Sequence, residues 1–178
     1  FVSDLDEFLH VGTEHDWSPP MYFQGPFLSF LRINREKGIE TIVALLNFVT
    51  DRWIDNRDEP PPAIHVSVGG DDIAFFGSSE AYYWYRDSVR SPNVVVPALM
   101  ALERWLYLYL DHDESIAPIV QQILSTSRST ALLGVLAAVG RKSPKLFNDE
   151  LRALVPVWQL QVWEETYRLQ QHESLVGM

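Results

Sequence analysis

The chain has 178 residues, 47% hydrophobic and 12% aromatic, which excludes wholesale disorder and suffices for one domain with a sizeable core. Its 24 acids against 14 Lys and Arg give a formal charge of −10, which argues against nucleic-acid binding through phosphates and against attraction to an anionic membrane. With no cysteine there is neither a disulfide framework nor a thiolate zinc site, which fits a reducing cytoplasm; no apolar run approaches the roughly 18–20 residues of a membrane span.

The chain opens on an acidic, Pro-containing lead-in over residues 1–25. Asp4, Asp6, Glu7, Glu14 and Asp16 occur there before any Lys or Arg, a solvated stretch unlike a signal peptide, which is basic and then apolar. Pro26 then suits the first turn of a short helix over Phe27–Ile33. From Arg35 to Ile54, Ile39, Ile42, Val43, Leu46, Val49 and Trp53 recur at three and four residues, so this segment is an amphipathic helix with one dry face. Asn56–Pro62, with three consecutive prolines, stops it. Over residues 63–77, Ile64, Val66 and Val68 alternate with His65 and Ser67 ahead of Gly69-Gly70, the pattern of a β-hairpin that must pack on helices to be stable.

Ser78 or Ser79 is placed to cap a helix running through Asp87, with Glu80 in its first turn, and Asn93 to cap a longer one ending near Leu110. Aromatic and aliphatic residues lie on nearly every face of these two segments, which makes them the centre of the core. Asp111–Glu114 is a polar turn, and Ile116–Leu124 another helix. A buried helix opens at Ser129 or Thr130 and runs through Val139, closed by Gly140, with Arg141 and Lys142 beside its negative end. Ser143-Pro144 starts a short helix carrying Leu146, Phe147, Leu151 and Leu154; Pro156 restarts the chain into a helix over Val157–Gln171.

About eight helices of roughly 8 to 20 residues joined by short turns define an all-α fold. We expect an antiparallel helical-repeat-like stack or irregular bundle, a single domain over residues 1–178, with one inserted β-hairpin. No sequence repeat of about 34 to 47 residues is convincing, so the stack rests on helix and loop lengths. Phe1 stands where an initiating methionine would, and we expect a piece of a longer polypeptide.

Gly69-Gly70-Asp71-Asp72 resembles the GGDEF signature of diguanylate cyclases, with Asp72 and Ile73 in place of the family's Glu and Phe; it reads as a glycine turn with solvated acids. The alternative function, a small nucleotide- or metal-dependent enzyme, would use these hairpin acids. Asp111, His112, Asp113 and Glu114 offer ligand types on a turn where adjacent side chains diverge, and His10, His15 and Asp16 lack the helical spacing of a zinc protease. No nucleophile elbow, phosphate-cradling loop or dinucleotide fingerprint is present. The sequence therefore assigns no catalytic, cofactor-binding or metal residue. Its candidates for partner binding are Tyr82, Tyr83, Trp84, Tyr85 and Arg86, because Tyr, Trp and Arg dominate interface hot spots, and the pair Trp158 and Trp163, which with Val162 and Tyr167 we expect to pack on the next helices of a longer stack.

Trp84–Asp111, WYRDSVRSPNVVVPALMALERWLYLYLD, followed by Ser129–Phe147, STALLGVLAAVGRKSPKLF, is similar to a HEAT-like helical region of large multidomain bacterial ATP-binding proteins of NACHT or STAND type, some of which act in anti-phage defence. The resemblance spans roughly Arg35 to Phe147 and carries no catalytic signature. It implies a helical scaffold or sensor arm beside a nucleotide-binding module. The expected function is a non-catalytic interaction region of a larger cytoplasmic protein, its partner another protein or other domains of the same parent chain.

Overall fold

The computed structural model describes residues 20–59, 62–86, 91–112 and 114–176, with side chains as far as residue 169. Most of the acidic lead-in, with His10, His15 and Asp16, lies outside the described residues, as do Asp87 and Asp113.

Helix α1 (Phe27–Ile33) and helix α2 (Arg35–Asp55) are separated by a single residue. Asn34 is extended there, and its side chain accepts a hydrogen bond from the Lys37 amide at 3.1 Å, an N-cap that starts α2 in a new direction. The apolar positions read from the period, Ile39 through Trp53, are all buried. The hairpin follows as β1 (Ile64–Val68) and β2 (Asp71–Phe75), antiparallel, with Val66 opposite Ile73 and Val68 opposite Asp71. Gly69 and Gly70 take φ of 63° and 99° at its tip, the left-handed backbone a tight hairpin turn requires. Ile64, Val66 and Val68 face the core while His65 and Ser67 face out. Just past β2, the Phe76 amide donates to the Arg128 carbonyl and its own carbonyl accepts from the Thr130 amide, which pins the hairpin to the start of α6.

Helix α3 (Ser79–Tyr82) is a single turn capped by Ser78, shorter than the sequence suggests. After it the amides of Tyr83, Trp84 and Arg86 reach back three residues, to Glu80, Ala81 and Tyr83, in place of the four of an α-helix. Tyr82, Tyr83, Trp84 and Tyr85 are all buried. Side chains spread round the whole circumference of such turns, so burying all four requires that the segment be surrounded by the rest of the fold. Helix α4 (Val95–Asp111) has Val94, not Asn93, at its N-cap position, and α5 (Ala117–Thr126) carries Pro118 in its first turn.

Helix α6 (Thr130–Lys142), capped by Ser129, is the axis of the molecule: every residue from Thr130 to Gly140 is buried, and it packs on α2, α3 and α4. Gly140 does not close it as expected. The helix runs on to Lys142, and Gly140 is there for space, since a Cβ on it would lie 2.4 Å from the Phe147 ring. Two 3₁₀ turns, Pro144–Asn148 and Arg152–Leu154, replace the single short helix expected after Pro144. Helix α7 (Trp158–Val176) completes the described chain. The fold is thus mostly helical with one two-stranded hairpin, its buried residues forming one contiguous cluster from Phe27 to Leu160. Among the described residues no helix is long and apolar enough to cross a membrane.

Candidate interaction surface

Helix α7 is apolar on two opposite sides. At roughly 100° per residue, Leu160, Trp163 and Tyr167 share one face, while Trp158, Val162 and Leu169 share the other. The first face is seated on the body. Leu160 is buried, the Trp163 ring lies 5.4 Å from that of Tyr82, and Tyr167 stacks on Tyr83 at 4.3 Å.

A polar network locks this seat. The Tyr82 hydroxyl donates to Glu164 Oε1 at 2.7 Å, and Arg141, from the end of α6, pairs with Glu164 Oε2 and donates to the Tyr85 hydroxyl at 2.9 Å. Burial, and then the Glu164 carboxylate, push the Tyr82 phenol far above its ordinary value; burial pushes Tyr85 to about 12 against the opposing pull of Arg86 and Arg141. Burial alone would disfavour the Arg141 cation, yet the facing Tyr85 and Glu164 hold its pKa above the usual value. Both phenols are therefore neutral, and Arg141 charged, across the physiological range.

The candidate residues consequently divide. Tyr82, Tyr83, Trp84 and Tyr85 are all buried, Tyr82 and Tyr83 against α7 and Tyr85 beside Arg141 of α6, so in this structure they serve the inside of the chain. Arg86 reaches the surface, over the Tyr85 ring and 4.0 Å from Glu103. Glu103 also accepts from the Tyr107 hydroxyl at 2.6 Å. Trp163 is half-buried on the inner face of α7. Trp158 is 65% exposed, and with it stand Val155, Val162 and Leu169 at 47, 47 and 53%. Val155 and Leu169 were not singled out in the sequence. The signal for Leu169 is the second apolar spacing, 158, 162 and 169, running along the helix opposite 160, 163 and 167; Val155, ahead of the helix, has no such signal.

An open cleft of about 470 Å³ lies beside this helix, between the base of the hairpin and α3, lined in part by Arg57, Ser78, Ser79, Gln159 and Trp163. At the hairpin tip, Asp71 and Asp72 are exposed, and Asp72 is engaged by His65 Nδ1 at 2.7 Å. Among the described residues no group of three or more His, Asp or Glu side chains is gathered as a metal site. The sequence matches no protein-family model and no curated protein.

Proposed function

We propose that this chain is a non-catalytic helical scaffold or sensor region of a larger cytoplasmic bacterial protein, and that it works by binding protein through the outer face of α7. The observation that carries this reading is the set Trp158, Val162 and Leu169, three large apolar side chains left in water on one side of a helix whose other side is already anchored, with Val155 exposed just ahead of that helix. Exposed apolar residues scattered singly are ordinary, but a contiguous row on a rigid element marks an interface. The helical-repeat-like stack inferred from the sequence agrees with it, since such stacks bury one helix layer against the next. In a parent of the NACHT or STAND kind, this face would meet a neighbouring domain or a protein partner.

The test is to place a photo-crosslinking residue at Val162 in the protein as expressed in cells, with Ile33, 84% exposed on α1, as the control position. Adducts at Val162 mapping to a defined protein surface, and none at Ile33, are expected. No adducts, or equal labelling at both positions, would overturn the reading.

A further inference from the structure

We propose that the open cleft beside α7 is a binding site for a small zwitterion, an α-amino acid with a flat apolar side chain, whose carboxylate meets Arg57 and whose ammonium meets Glu59. The site is separate from the outer face of α7 and stands whether or not that face binds protein.

Three pieces of chain meet at the cleft without filling it: the segment leaving α2, the base of the hairpin at Ile64 and Gly77, and the first turns of α7. The space between them, about 470 Å³, falls within the roughly 300–1,000 Å³ of small-molecule sites. Its apolar wall comes from Pro62, Ile64 and Trp163, and Tyr82, 5.4 Å from the Trp163 ring, fixes that indole in place.

The two charges of the cleft select the ligand. As the chain leaves α2 the Arg57 amide donates to the Ile54 carbonyl at 3.1 Å, and the guanidinium stands 3.7 Å from the centre of the buried Trp53 ring. That is too close for an N–H to point at the ring, so the guanidinium lies flat on it. The in-plane N–H groups, the fork that suits a carboxylate, stay free. Glu59 lines the same cleft two residues on, and among the described residues neither side chain has an ion-pair partner, the other included. Two residues separate Cα atoms by at most about 7 Å, so both long side chains reach one small ligand.

A ligand with a single charge meets a like charge here: a carboxylate alone faces Glu59, and an amine alone faces Arg57. An anion is opposed again by the formal charge of −10, a field that a zwitterion enters with no net charge. On the α7 side the half-buried Gln159 amide adds a donor and an acceptor. Arg57 and Glu59 are both exposed, so each contributes modestly. A ligand of about a dozen non-hydrogen atoms in so open a site binds with a dissociation constant on the order of 1 mM.

L-Phenylalanine is the probe, read by the Trp163 indole N–H in proton–nitrogen correlation spectra of the isotope-labelled protein, with Trp163→Phe identifying the signal. The signal should move saturably as L-phenylalanine rises to about 20 mM, with a constant on the order of 1 mM, and glycine, which has no side chain for the apolar wall, should leave it in place. 3-Phenylpropionate, with the carboxylate alone, and phenethylamine, with the ammonium alone, should each bind more weakly. R57Q and E59Q alter exposed positions and should each weaken L-phenylalanine by about three- to tenfold. The variants should also cross over: R57Q should tighten phenethylamine and E59Q should tighten 3-phenylpropionate. A Trp163 signal that does not move, glycine or a singly charged analogue binding as well as L-phenylalanine, or variants that bind it like wild type would overturn the inference.

Discussion

Gly134 sits in the middle of α6, where ordinary helix energetics say it should be replaceable. Gly to Ala in a helix interior gains about 1 kcal/mol from backbone entropy, so a reading of α6 alone makes Gly134→Ala stabilising. The packing around it predicts the opposite sign. A Cβ on Gly134 would lie 2.1 Å from the Tyr82 carbonyl oxygen and 3.0 Å from Tyr85 Cε1. Carbon and carbonyl oxygen meet at about 3.3 Å or more, so α3 and α6 would have to separate by over about 1 Å. The obstruction is backbone, which cannot swing aside as a side chain can. Overpacking costs typically run about 1–3 kcal/mol, and a backbone clash belongs at the upper end; set against the propensity gain, the net is a loss of about 2 kcal/mol. For a chain of this size that lowers the melting temperature by about 4–8 °C. Thermal and urea unfolding of Gly134→Ala measure it. A variant as stable as wild type, or more so, would refute the close seating of α3 on α6, and with it the account of how Tyr82 and Tyr85 are presented to α7.

Three further outcomes follow from the same contacts. In a double-mutant cycle, Arg141→Met strands the Glu164 carboxylate on Tyr82 alone, so R141M and E164L together should cost about 1–2 kcal/mol less than the sum of the singles, the discount on a fully buried pair reflecting partial exposure; additivity would mean that Arg141 does not hold α7. The phenols of Tyr82, Tyr83 and Tyr107 are raised far above 10 and Tyr85 to about 12, chiefly by burial, so the folded state retains protons that the unfolded chain releases near pH 10. Their contribution is complete below about pH 10 and falls as pH climbs toward 12, so ultraviolet titration should show these tyrosines ionising together with alkaline unfolding; reversible titration of all tyrosines near pH 10 in the folded protein would contradict it. Asn47 donates to the Thr126 carbonyl at 2.9 Å and accepts from the Arg128 amide at 2.8 Å, tying α2 to the turn between α5 and α6. Asn47→Ala should cost about 1–3 kcal/mol and speed hydrogen exchange at Arg128; unchanged exchange would show that the tie carries no load.

Where one local rule governed a segment, the sequence was sufficient. The apolar period of α2, the Ser129 cap of α6 and the Gly-Gly hairpin with its alternating β1 are each written within about 20 residues of chain, and each forms where its pattern lies. Local rules misled at Gly140, a stop signal in isolation but in the fold a gap for Phe147, and at Tyr82–Tyr85, whose aromatic run looked like a buried helix and is a tighter turn. The candidate surface was half visible: Trp158 drew notice as a tryptophan, while Val155 and Leu169 matter only because the other side of α7 is taken.

By itself the sequence determined that this is a helical, acidic chain with one hairpin, because composition, periodicity and turn chemistry act over distances shorter than an element. Only the tertiary structure decided which aromatic residues are enclosed and which stand in water. Tyr82 and Trp158 are both large amphipathic side chains on helical segments, and nothing within a few residues of either separates them. What does is the way Glu164 of α7 meets Tyr82, 82 residues earlier in the chain, and Arg141 of α6, which takes up one side of α7 and leaves the other bare. Burial is a property of the assembled surface, and a helix with two apolar sides shows which one it spends on its own fold only once its neighbours are in place.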